Sequence, residues 1–99
     1  MNIYLQVIPE KREEFLQTLR GLMAILEKER GCKKATLYQD LDNVNRFNFI
    51  EEWKTDEDLE RHLNSEEYKV LFGALKVLCN YSEVTYNMVN LVKRKTIEP

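Results

Sequence analysis

The side chains best suited to chemistry fall within one stretch, residues 46–68, RFNFIEEWKTDEDLERHLNSEEY. It holds His62 and Trp53, the only histidine and the only tryptophan of the chain. An imidazole with an ordinary pKa near ~6.5 suits a general base or a hydrogen-bond orienter at neutral pH. An indole can stack on an aromatic ring and donate from its N–H. Each also has a structural reading, His62 as a residue packed or capping between helix and sheet, and Trp53 as a core anchor. Glu51 adds a carboxylate. On an apolar face it must find a partner or shift its pKa. A lysine or arginine, in the same fold or across a dimer, is the structural partner; the alternative is a second acid/base group. Asp58, one helical turn before His62, is placed to steady a protonated imidazole.

The elements that must position these groups can be read locally. From Arg46 the chain alternates, with Phe47, Phe49, Glu51 and Trp53 on one face and Asn48, Ile50 and Glu52 on the other. That is a strand, and Asn48 is a pocket group only if the faces are inverted. Thr55 with Asp58 three residues on has the capping-box pattern and opens a short helix over about 56–63. Leu59, His62 and Leu63 share a face of it. Ser65 caps a further helix running to about Cys79, with Tyr68, Leu71, Phe72, Leu75 and Leu78 as its apolar stripe.

Before this stretch, residues 2–8 alternate as a strand, and Pro9 starts a helix over about 9–30, with Phe15, Leu19, Leu22 and Leu26 as its stripe. Gly31 is placed to end that helix in a left-handed conformation. Residues from Cys32 to about Leu41 form a second strand, and Asp42-Asn43-Val44-Asn45 turn it into the strand from Arg46 as an antiparallel hairpin. Glu83 to Arg94 alternates as a long last strand, with Tyr86 and Met88 on it, and 94–99 is a tail.

The order βαββααβ is an α+β, ferredoxin-like split βαβ arrangement with a four-stranded antiparallel sheet, one domain over residues 1–99. Helices cover one sheet face. Apolar residues on both faces imply a homodimer that packs sheet to sheet. Tyr4, Tyr38, Tyr68, Phe72, Tyr86 and Met88 are candidate wall residues, or plain core.

Composition narrows the classes. The chain has 99 residues, 43% hydrophobic and 32% charged, so it is globular. A net charge of −2 and dispersed lysines and arginines argue against a nucleic-acid partner; the local cluster Lys93-Arg94-Lys95 reads as a solvated tail. No apolar run is long enough for a membrane span and no signal peptide is evident, which points to a cytoplasmic protein. Cys32 and Cys79 show no metal spacing and read as reduced, structural thiols. One histidine offers no zinc-type cluster, and there is no glycine-rich phosphate loop.

The sequence resembles the antibiotic biosynthesis monooxygenase family, whose members are dimeric α+β barrels. The likeness rests on Phe47, Glu51, Trp53, Leu59, His62 and Ser65, and extends through Pro9 to Phe15 and through Glu29-Arg30-Gly31-Cys32. It implies a pocket between sheet and helices for a small aromatic substrate and O2, and chemistry without metal, flavin or heme. On that resemblance His62 is the expected catalytic residue. Trp53, Glu51, Asn48, Phe49, Tyr68, Phe72 and Tyr86 are the expected substrate-binding set. The expected activity is oxidation of a quinol- or anthrone-like compound. A non-catalytic dimeric binding module is the rival, and a heme-binding or heme-degrading relative a third reading.

Overall fold

The computed structural model describes residues 1–87 and 95–97. Strand β1 (Asn2–Val7) leads through a 3-10 turn (Pro9–Lys11) into helix α1 (Arg12–Leu26). Strands β2 (Cys32–Gln39) and β3 (Arg46–Trp53) form the hairpin, followed by helices α2 (Asp56–Leu63) and α3 (Glu66–Leu78). Strand β4 (Cys79–Tyr86) and a short β5 (Lys95–Ile97) complete the chain. All pairings are antiparallel, in the spatial order β2-β3-β1-β4-β5. The four long strands give the expected ferredoxin-like α+β sheet.

The alternation in β1 and β3 sets the core. Ile3, Leu5 and Val7 are buried beside Phe47 and Phe49, with Val84 on the neighbouring strand. Phe15, Leu19 and Leu26 of α1, and Leu71, Leu75 and Leu78 of α3, close over that face. Fully burying a side chain of this size contributes roughly 1.5–3 kcal/mol. The helices therefore dock on one sheet face because only one face of each carries such residues.

Four boundaries differ from the sequence expectation. Helix α1 ends at Leu26 rather than near 30. After it the backbone tightens, Lys28 N–H donating to Ile25 O and Glu29 N–H to Leu26 O, and Gly31 turns the chain at φ 90°. Gly31 thus shapes the turn into β2 instead of directly capping α1. Strand β2 stops at Gln39, because Asp40 and Asp42 belong to the turn, where the Asp40 side chain accepts from Asp42 N–H. Strand β4 starts at Cys79, not Glu83: Ser82 and Cys79 pair with Leu5 and Val7, so tertiary register extends the strand into a segment of weak local preference. It ends at Tyr86, and Lys95–Ile97, expected as tail, pairs back onto Val84–Tyr86. The expected strand positions Met88, Val89, Leu91 and Val92, and Lys93-Arg94 of the basic cluster, lie outside the described residues.

Candidate active site: a histidine between two carboxylates

Three elements converge on His62. Strand β3 supplies Glu51 and Trp53 from its helix-covered face. Helix α2 supplies His62 from its last turn; Thr55 Oγ1 accepts from Asp58 N–H at 3.0 Å and fixes where that helix starts. Helix α3 supplies Tyr68, whose N–H donates to the Ser65 cap. Ser65 also ties the two helices, its hydroxyl donating to His62 O at 2.6 Å.

Glu51 and His62 are buried, at 1% and 0% exposure. His62 Nε2 lies 3.0 Å from Glu51 Oε1, and Nδ1 lies 3.6 Å from Glu29 Oε1. Trp53 Nε1–H donates to the same Glu51 Oε1 at 3.1 Å. The indole stacks on the imidazole, centroids 4.5 Å apart and planes 28° apart. Tyr68 meets the other side of the imidazole edge-on at 5.6 Å, and Phe72 meets Tyr68 at 4.8 Å. Three buried oxygens of the cluster, Glu29 Oε2, Glu51 Oε2 and the Tyr68 hydroxyl, have no hydrogen-bond partner, and the two imidazole nitrogens meet their carboxylates at ion-pair distance without hydrogen-bond alignment.

The electrostatics follow from this arrangement. Burial works to lower the His62 pKa, but Glu51, and after it Glu29, outweigh burial and raise it above the ordinary value. The imidazole is thereby held toward its charged form. Burial, with Glu51 and Tyr86 nearby, pushes the Tyr68 hydroxyl up to about 12, so it stays a neutral donor. Burial also pushes the Cys79 thiol up to about 11, and burial with Glu51 raises that of Cys32. Both thiols are free and half-buried, and raised pKa values make poor nucleophiles.

A cavity of about 380 Å³ opens beside this cluster, lined by Glu51, Trp53, Leu59, Lys33, Lys54 and Asn87 among others. That volume falls within the range of small-molecule sites, roughly 300–1,000 Å³. Another cavity, about 430 Å³, lies between α1 and α3 around Leu22, Ile25 and Val70 and shares no residue with the His62 cluster.

The structure brings some expected site residues together and separates others. Glu51 and Trp53 line the cavity, and His62 stands behind them. Tyr68 and Phe72 extend the aromatic cluster, and Tyr86 is half-buried against the core. Phe49 is core, with 0% exposure. Asn48 must be corrected: it pairs with Tyr4 and Tyr38 on the opposite sheet face, because strand alternation turns it away from Phe49 and Glu51. Asp58 also departs from expectation. Its carboxyl pairs with Arg61 at 2.9 Å, and hydrogen bonds from Thr55, then Arg61, hold it below the usual carboxylate range. The partner of Glu51 is His62 rather than a lysine or arginine. Glu29 was visible in the sequence only as part of the segment leading to Gly31, with no local signal that it reaches the imidazole.

The heme reading tests poorly on the same geometry. An axial ligand needs an unprotonated, accessible ring nitrogen. His62 is wholly buried, and each of its nitrogens faces a carboxylate. The residues present do not fit that group. Among the described residues no cluster of three metal-ligating side chains occurs, and no helix is long and apolar enough to cross a membrane.

Fold and site together define a ferredoxin-like domain with a buried carboxylate–imidazole–indole cluster beside a small cavity. The model of the family described as antibiotic biosynthesis monooxygenase matches residues 1–73. The chain belongs to that family. Its relatives include "Putative monooxygenase YcnE" of Bacillus subtilis (strain 168), 29% identical over 69 residues, covering 70% of this chain and 73% of that protein. Similar solved structures include a conserved protein from Methanosarcina mazei Go1, 26% identical with a TM-score of 0.75, the match covering 99% of this chain and 86% of that one. PA3566 from Pseudomonas aeruginosa is also 26% identical, with a TM-score of 0.72 and coverage of 99% and 89%.

Proposed function

We propose that this chain is a cofactor-independent monooxygenase that oxidises a small quinol- or anthrone-like aromatic with O2. The observation that carries this reading is the asymmetry of Glu51. One carboxylate oxygen accepts from Trp53 and lies 3.0 Å from His62 Nε2, while the other is buried with no partner, in a residue that borders the cavity. A substrate hydroxyl, or an acidic C–H in its enol form, supplies the missing partner and gives Glu51 its proton. The resulting anion passes one electron to O2. The radical pair combines at carbon, and loss of water leaves a new carbonyl. One oxygen atom enters the product, the other leaves as water, and the substrate supplies all four electrons. Trp53 stacks the ring. His62 acts from behind Glu51, orienting it, since both imidazole nitrogens already face carboxylates. The neutral Tyr68 hydroxyl is a second unpartnered donor at the site. Leu59 and Trp53 supply the apolar part of the cavity wall against which the ring would rest.

The test is O2 uptake with a panel of quinols and anthrones. The wild type is expected to exceed background, and Glu51→Gln to lose about 10²–10⁴-fold, the usual worth of a positioned base. Saturable binding with no uptake above buffer, across the panel, would overturn the enzyme reading and assign the cavity to a carrier or sensor.

A further inference from the structure

We propose that Glu29, on the loop between α1 and β2, is a positioning residue of the site: its carboxylate stands at ion-pair distance from Nδ1 of His62 while that of Glu51 faces Nε2, so that the imidazole is kept between two carboxylates behind Glu51. The inference rests on the monooxygenase reading only for its catalytic consequence; the clamp itself is a matter of geometry.

Three observations carry it. Glu29 Oε1 is 3.6 Å from Nδ1, and its other oxygen is buried without a hydrogen-bond partner, so the side chain is turned inward. The loop that carries it is pinned at several points. Glu29 N–H donates to Leu26 O, Cys32 N–H donates back to Glu29 O, and Lys54 N–H donates to Gly31 O at 2.8 Å. Gly31 lies so close to Asp58 that a Cβ there would overlap the carboxyl, which presses the loop against α2. Finally, His62 sits in the last turn of α2, where the negative end of a helix favours a cation.

The groups facing the imidazole from each packed element agree with this assignment. Strand β3 presents Glu51, the loop presents Glu29, and α3 presents the neutral Tyr68. Strand β2 brings the Cys32 thiol near both glutamates, and the Met1 amine lies near Glu51. On α2 itself, Asp58 and Arg61 neutralise each other. Glu29 is thus the only carboxylate among these placed at ion-pair distance from Nδ1. With each nitrogen facing a carboxylate, the imidazole is turned away from the cavity and the accepting atom is assigned to Glu51.

The single histidine makes the test direct, because one set of imidazole resonances reports on it. In an NMR titration of the full chain, Glu29→Gln is expected to lower the His62 midpoint by about one pH unit, the scale of a close charge, and to alter the Nδ1 shift selectively. Glu27→Gln, the same charge change two residues earlier at the end of α1, is expected to leave the midpoint in place. Glu29→Asp keeps the charge but withdraws it by one methylene, giving a smaller drop; it decides the matter if the amide variant does not fold. A His62 midpoint unchanged in the folded Glu29 variants overturns the proposal. The titration needs no substrate, so absence of O2 uptake would count against the enzyme reading while leaving the clamp to be judged on its own.

Discussion

A buried imidazole between two carboxylates makes the stability of this domain depend on pH in a definite direction. His62 has a folded-state pKa raised above the unfolded value of about 6.5. Its ion pair with Glu51 therefore stabilises fully below about pH 6.5 and is lost as pH rises through the raised midpoint. His62→Gln keeps a hydrogen-bond donor but cannot carry the charge. In melting curves taken from pH 6 upward, the stability gap between wild type and this variant is expected to narrow as pH rises. A constant gap over that range would show that the imidazolium does not contribute. The opposite logic applies to Tyr68, which remains neutral to about pH 12 and adds no titration near neutrality. At this scale the sequence showed which side chains were reactive types but not who meets whom. Asp58 stands at the right helical offset from His62, yet turns to Arg61 and Thr55. Glu51 and Glu29 reach the ring from other elements, and no local rule connects them.

Among the elements, the turn after α1 matters most to the site. Gly31 has φ 90°, a conformation that L side chains adopt at a cost, and it abuts Asp58. Gly31→Ala is expected to destabilise the fold by about 1–3 kcal/mol, combining backbone strain with overlap. Urea unfolding measures that loss, and the same variant should shift the His62 resonances, because it pushes the loop bearing Glu29 away from α2. Unchanged imidazole shifts in a destabilised Gly31→Ala protein would disconnect turn from site. The elements themselves were largely legible. The period of two in residues 46–53 and the Thr55–Asp58 capping pattern located β3 and α2 to the residue. The start of β4 was not, because Asn80 and Ser82 on either side of Tyr81 interrupt the strand signal, and the segment is ordered by pairing with β1.

For the whole molecule, helices cover one face of the sheet and leave the other to be accounted for. That second face carries Tyr4, Tyr38, Ile50 and Tyr81, with Tyr38 49% exposed, interleaved with Thr36, Asn48 and Gln6. We infer that a second copy packs there, sheet against sheet, giving a homodimer. Light scattering after size exclusion is expected to report twice the chain mass, and Ile50→Lys, placing a charge in that face, to shift the protein toward monomer. A monomeric wild type at tens of micromolar would refute the pairing. The face is more polar than the alternation alone suggested, since its aromatic residues are separated by amide and hydroxyl groups.

What the sequence determined by itself was the set of elements from β1 to β4, their order, and the face of β3 that turns Phe47, Phe49 and Glu51 inward. Those follow from periodicity and capping, which act over a few residues. What only the tertiary structure decided was the constellation: Glu29, Glu51 and Trp53 placed around the His62 ring, with Asn48 on the opposite sheet face. Their meeting depends on how a loop, a strand and a helix cross, and side-chain contacts between such elements are set by packing over the whole core rather than by spacing along the chain.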